Sequence, residues 1–179
     1  MQIETERKFL VTGDGYKAEA VEKHRIRQGY IAHDEGRSVR VRIRDGKGIL
    51  TVKGPFIGFG SRPEWEKELT MQEAEDLFRL CKPGSVDKTR WIVPAEMPGQ
   101  AGHDGDFTGS PAVMAGSDRP SRFFEVDEFH GENEGLVMAE IELADAEESF
   151  PKPSWLGEEV TGDKRYYNGY LARKPFKSW

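Results

Sequence analysis

Cysteine is almost absent. Cys81 stands alone, so no intramolecular disulfide can form, and the expectation is a reducing, cytoplasmic setting. Long apolar runs are missing too: nothing approaches the ~18 residues a membrane-spanning helix needs, and the acidic, alternating first residues do not read as a leader peptide. The sequence therefore predicts a soluble protein without a membrane partner. Net positive charge is lacking, the formal balance being −6. A general nucleic-acid binder needs a basic surface for counterion release, so nucleic acid is not an expected partner. No Ser-His-Asp or Cys-His arrangement suggests itself. The loop holding Gly54, Gly58 and Gly60 lacks the Gly-Lys-Ser/Thr ending of a phosphate-binding P-loop.

What the chain has in quantity is charge of both signs. Charged residues make up 32% and the hydrophobic set 36%, so a large ionic surface must sit somewhere, outside or lining a cavity. At 179 residues the simplest organisation is one domain over 1–179 with a proper core.

The charges are patterned. Side chains alternate between faces along a strand, and in residues 3–11 Glu4, Glu6 and Lys8 share one face while Ile3, Phe9 and Val11 take the other. The same period returns at 37–44 (Arg40, Arg42, Arg44 against Val39, Val41, Ile43), 49–53 (Thr51, Lys53), 64–69 (Glu64, Glu66, Glu68 against Trp65, Lys67, Leu69), 86–93 (Lys88, Arg90), 123–129 (Glu125, Asp127) and 136–143 (Glu140, Glu142). A further strand at 26–33 puts Gln28 and Tyr30 on one face, giving eight in all. Helices are predicted over 16–24, with Ala18, Val21 and Ala20 inward, and over 71–81, where Thr70-Met71-Gln72-Glu73 is a capping box. Two short helical segments are expected near 153–160 and 163–171. Residues 94–121 are rich in Gly, Pro, Ala, Ser and Asp without a period, and read as a flexible insertion between two strands. His103 and Asp104 within it lack ligand spacing to other residues.

Two architectures accommodate the alternation. One is an open antiparallel sheet with a wet face laced by cross-strand ion pairs. The other is a sheet that curls and closes, as sheets of eight strands tend to, making the charged face an interior. Segregation of charge by strand favours the second: the third, fourth and sixth strands are basic, the fifth, seventh and eighth acidic. Inside such a wall, arginine and lysine clusters suit phosphate oxygens and carboxylates suit hard divalent cations such as Mg2+ or Mn2+. That chemistry points to a polyphosphate attacked directly by metal-activated water.

Glu4-Thr5-Glu6-Arg7-Lys8, followed in order by Arg40-x-Arg42, Thr51-Val52-Lys53-Gly54, Glu64-x-Glu66, Lys88-x-Arg90, Glu125-x-Asp127, Glu140-Ile141-Glu142 and Glu159-Val160-Thr161, resembles the CYTH superfamily of triphosphate tunnel metalloenzymes. The resemblance implies an α+β fold: an eight-stranded antiparallel β-barrel with a charged interior and helices packed outside. It implies that Lys8, Arg40, Arg42, Lys53, Lys88 and Arg90 clamp phosphates. It implies that Glu4, Glu6, Asp127, Glu140 and Glu142 hold Mg2+ or Mn2+, and that Glu64, Glu66 and Glu125 complete an acidic wall. Arg44 and Glu68 are in phase with these sets. Lys8 and Tyr30 are candidates for positioning the attacking water, and the segment around 164–170 for plugging one mouth. Length and tail most resemble short bacterial inorganic triphosphatases, implying hydrolysis of tripolyphosphate to pyrophosphate and phosphate; the outer helical faces suit a monomer or a homodimer alike. Thiamine or nucleoside triphosphatase, class IV adenylate cyclase and a non-catalytic polyphosphate-binding module are the alternatives. The first three would need a stacking group at the mouth, for which Trp155 and the Phe56/Phe59 loop are candidates.

Overall fold

Each alternating segment forms a strand because that conformation alone sends its charged and apolar side chains to opposite sides. The computed structural model describes residues 2–34, 36–57, 61–95, 123–145 and 147–179, and side chains from Thr5 onward. The elements are β1 (Gln2–Val11), α1 (Tyr16–Glu19), β2 (Glu22–Asp34), β3 (Arg37–Arg44), β4 (Lys47–Lys53), β5 (Ser61–Leu69), α2 (Met71–Arg79), β6 (Ser85–Pro94), β7 (Phe123–Phe129), β8 (Val137–Glu142), β9 (Leu156–Glu159) and α3 (Asn168–Leu171). Beyond Pro94 and Ala95, the insertion expected over 94–121 lies outside the described residues, as do His103, Asp104 and Phe59.

The strands run β5-β4-β3-β2-β6-β7-β8-β1, and β1 returns to β5 to close an eight-stranded antiparallel barrel. Closure depends on β1 splitting its edges. Gln2 to Thr5 pair with β5, Glu6 to Leu10 pair with β8, and the rest of the β5-side edge is taken by β9 through Phe9↔Glu159 and Val11↔Leu156. Asp45-Gly46 turns β3 into β4 with both residues at positive φ, as a two-residue hairpin requires.

Among the described residues, three apolar clusters hold this frame. Outside β6, β7, β8 and β1, Phe9, Val93, Phe124, Val126 and Ile141 pack under Tyr16 and Trp155. Outside β3 and β4, Val41 and Leu69 are covered by Ala74 of α2, with Leu77 and Phe78 alongside. The capping box that opens α2 is present, Thr70 Oγ1 accepting from the Glu73 amide and the Thr70 amide donating to Glu73. The third cluster lies within the barrel. Tyr30, Val86, Phe129 and Met138, in phase with the charged rows, pack against Leu171 and Ala172 at and beside α3. The interior thus has an apolar floor beneath a charged chamber.

Three expectations are corrected. The first helix ends at Glu19, and residues 22–24 belong to β2, because Ala20 turns extended and Val21 donates to Ile92 while Glu22 pairs with it. Ala18 and Val21 are exposed, while Tyr16 is buried and Ala20, partly buried, packs against the same cluster as expected. The tail at 156–159 is a strand, since the free edge of β1 offers it backbone partners. Trp65, which alternation puts opposite the glutamates with Leu69, is not buried like Leu69 but 47% exposed beside its cross-strand partner Val52, because α2 covers only the other end of that outer face.

Candidate active site

Register decides what faces inward. In the closed ladder Gln28 opposes Arg42, Ile26 opposes Lys88, Arg90 opposes Asp127, Glu125 opposes Glu140, Lys8 opposes Glu140, Glu6 opposes Glu142, and Lys53 opposes Glu64. Paired residues share a face, so the predicted charged rows line one interior. The ring order then sorts them. β6, β2, β3 and β4 form a contiguous arc carrying Arg90, Lys88, Arg40, Arg42 and Lys53. β7, β8, β1 and β5 form the facing arc with Asp127, Glu125, Glu140, Glu142, Glu6, Glu64 and Glu66.

At the β6–β7 seam the two arcs bond directly. Asp127, 0% exposed, accepts from Arg90 Nε at 2.7 Å and from the Lys88 ammonium, and Arg90 also reaches Glu125 and, at 3.1 Å, Glu140. At the β4–β5 seam Lys53 Nζ lies 2.7 Å from Glu64. Between the arcs Glu66 accepts from Thr51 Oγ1 at 2.6 Å and from Arg42 at 3.3 Å, and Arg40 lies 3.6 Å away. Lys8 sits within the acidic arc, 2.5 Å from Glu140 and 2.9 Å from Glu6.

These contacts set the ionisation. Burial is the largest influence on Lys8 and opposes its charge, yet Glu140 and Glu6 outweigh it and hold the pKa above its ordinary value. Burial likewise opposes a charged Glu140, but Lys8, Arg90 and Lys88 keep it well below the usual carboxylate range. Lys88 goes the other way: burial, reinforced by Arg90, pushes it down to about 8 against the pull of Asp127 and Glu140. Burial, followed by Arg40, also lowers Arg42. Tyr30 is buried and raised by desolvation, so its hydroxyl keeps its proton, and it accepts from Gln28 Nε2 at 3.2 Å.

Most site residues expected from the sequence are therefore brought together. Glu4 lies in β1 opposite Arg62, its side chain outside those described. Tyr30 sits at the border of the apolar floor, where a bulge after it turns His33 toward its ring. Trp155 is 3% exposed and packed on Tyr16 and Phe124, so it is no stacking group at a mouth. Phe56 packs against Tyr167 and the Arg62 guanidinium.

Sequence reasoning missed Arg62, which reaches Glu6 at 3.5 Å. It continues the 64, 66, 68 phase backward past Pro63, whose ring suggested a loop. It also gave no role to Thr51, wholly buried between Arg40 and Glu66, nor to Asn168 of α3, which faces Lys88.

Among the described residues no three carboxylate, histidine or cysteine side chains converge into a metal cage. The donor set nevertheless fits a hard divalent ion: Glu6 and Glu142 oppose each other in register, with Glu140 two residues along the same face. Mg2+ typically takes one or two carboxylates, substrate phosphates and water rather than an all-protein cage.

The chain matches the CYTH domain family over residues 2–167. It is 44% identical over 180 residues to an inorganic triphosphatase of Acetivibrio thermocellus, spanning 100% of this chain and 99% of that one. It is 33% identical over 176 residues to an inorganic triphosphatase of Nitrosomonas europaea, spanning 94% and 96%. Its fold is similar to the crystal structure of the inorganic triphosphatase NE1496, with a TM-score of 0.57 and 29% identity over 96% and 95% of the two chains. The PH1012 protein of Pyrococcus horikoshii shares the fold at a TM-score of 0.53 and 20% identity over 80% and 79%.

Proposed function

The chain belongs to the CYTH domain family, and from that premise we propose that it hydrolyses inorganic triphosphate to pyrophosphate and phosphate inside the charged chamber. The observation that carries this reading is the closure of a basic arc onto an acidic arc around one enclosed space. A triphosphate brings several negative charges, and each phosphate oxygen can replace a carboxylate as partner to Arg40, Arg42, Lys53, Lys88 or Arg90. Guanidinium groups take phosphate oxygens in bidentate fashion. The carboxylates displaced in this exchange face the polyphosphate from the other arc.

Glu4, Glu6, Glu140 and Glu142 would hold Mg2+ or Mn2+, which when bound neutralises phosphate charge and lowers the pKa of water. Asp127, enclosed by Lys88 and Arg90, orients those two cations. Lys8, kept protonated by Glu6 and Glu140, donates hydrogen bonds and cannot serve as a base. Water forms the new bond to the terminal phosphorus, the bridging P–O bond breaks, and its electron pair leaves on pyrophosphate. Tripolyphosphate and water thus give pyrophosphate, orthophosphate and a proton.

The deciding experiment is phosphate release from tripolyphosphate, ATP and thiamine triphosphate, each with Mg2+, Mn2+ or chelator. Preferential, metal-dependent turnover of tripolyphosphate is expected. Tight binding without turnover would identify a polyphosphate-binding module, and cyclic AMP formed from ATP a cyclase.

A further inference from the structure

Lys8 on β1 and Arg62 on β5 put positive charge inside the acidic arc, and both reach Glu6, at 2.9 Å and 3.5 Å. Arg62 and Glu6 are nearly enclosed, their side chains 12% and 10% exposed. Two aromatic rings cover this pair of cations. The Arg62 guanidinium lies 4.9 Å from the centroid of Phe56 and 6.0 Å from that of Tyr167, and Lys8 Nζ lies over Tyr167 at 5.4 Å. The rings pack on each other, with centroids 5.4 Å apart.

Each ring is set by a different part of the chain. Phe56 is carried by the connection from β4 to β5, pinned where the Gly54 amide donates to the Pro63 carbonyl and the Ile57 amide to the Ser61 carbonyl, both at 2.8 Å. Tyr167 opens α3: its carbonyl accepts from the amides of Tyr170 and Leu171 at 2.8 Å and 3.0 Å, and Leu171 is buried in the apolar floor. Burial raises the Tyr167 pKa, so the ring stays a neutral phenol. An aromatic face attracts a cation most strongly where water is excluded. The mode of attachment has a chemical consequence. Asp127 holds Lys88 and Arg90 through their N–H groups, which occupies donors. A ring takes a guanidinium by its face and leaves the N–H edge for acceptors lying in its plane.

Resting on the triphosphatase reading, we propose that Arg62 is a further phosphate-binding residue and that Phe56 and Tyr167 are positioning residues acting through it. Glu6 belongs to the carboxylates suited to a divalent ion, and a phosphate oxygen replaces it beside Arg62. That oxygen competes with Glu6 for the N–H edge but not with the rings for the face, so the rings keep the guanidinium in place through the exchange. The polyphosphate is then gripped from the acidic arc as well as from the basic one. Because Tyr167 also starts α3, docking of the tail on the apolar floor is coupled to substrate affinity.

The test is a double-mutant cycle on KM for tripolyphosphate with Mg2+, in the full chain. Tyr167→Leu should raise KM about 5- to 30-fold, the weight of a desolvated cation–π contact converted to affinity, with kcat within about threefold of the parent. Arg62→Gln should raise KM at least as much. Tyr167→Phe, which keeps the ring, should stay within about twofold of the parent. The double variant should be no worse than Arg62→Gln alone, since Tyr167 acts through that side chain. An unchanged KM in Tyr167→Leu or Arg62→Gln, a loss carried by kcat alone, or losses that multiply in the double variant would overturn the proposal. Should Tyr167→Leu fail to fold, Phe56→Leu, at a 38% exposed position, takes its place in the same cycle. The same ordering is expected in the calorimetric Kd for tripolyphosphate under chelator. A parent that binds without turnover therefore refutes the triphosphatase reading while the cycle on Kd still decides the role of Arg62, and a parent that neither binds nor turns over overturns both.

Discussion

Lys8 and Glu140 stand opposite each other in the β1–β8 ladder, with Nζ 2.5 Å from Oε1 and both side chains buried. Each fixes the charge of the other. Glu140 has a folded pKa below its ordinary 4.5, so the stability it contributes is fully present above that value and is lost as pH falls through the depressed one. Glu140→Gln should flatten the acid limb of a stability-versus-pH curve followed by chemical denaturation. It should also lower metal-dependent phosphate release by at least about tenfold, since it removes one carboxylate from the acidic arc.

The depressed pKa of Lys88, about 8 against an ordinary 10.5, has the opposite sign. Between those values the unfolded chain holds a proton that the folded chain has lost, so stability rises with pH across the window. Phosphate binding needs the charged form, so kcat/KM for tripolyphosphate should fall as pH passes about 8. Lys88→Arg, charged throughout, should remove that decline in a pH–rate profile.

Trp155 is a core residue, its ring edge-on to Tyr16 and Phe124 and its indole N–H donating to Glu19 at 3.2 Å. Trp155→Ala should cost about 3–5 kcal/mol in denaturant unfolding. Turnover per folded molecule and the ranking of tripolyphosphate, ATP and thiamine triphosphate should stay as in the parent, which a role in base stacking would not allow.

Gly84, immediately before β6, lies against Ala172 at the end of α3. Its φ is +94°, and a Cβ there would lie 1.8 Å from the Ala172 carbonyl oxygen. Gly84→Ala combines an unfavourable backbone conformation with a clash against main chain. It should lose at least about 2 kcal/mol of stability, read from the denaturation midpoint at constant m-value.

Much of the site was legible because its chemistry is written at a two-residue period. Arg40/Arg42, Lys88/Arg90 and Glu140/Glu142 each share a face in any extended strand, whether the sheet stays open or closes. Arg62 escaped because Pro63 hid the continuation of its strand. The strand at 156–159 read as helical because its ladder partner, the free edge of β1, lies some 150 residues away in the chain. The exposure of Trp65 and burial of Tyr16 depended on where α1 and α2 happen to end, which residue type does not fix.

The sequence alone determined which side chains travel together, since alternation is a property of the extended backbone, and it placed the Asp45-Gly46 turn and the Thr70–Glu73 capping box by local chemistry. Tertiary structure alone decided that the rows face inward, because that requires β1 to pair with β5 across the length of the barrel. It alone decided the order around the ring, which gathers four strands into a basic arc and four into an acidic one although they alternate along the chain. It also set an apolar floor under the chamber, since Leu171 reaches Val86 and Met138 only after the barrel has closed and the tail has crossed it.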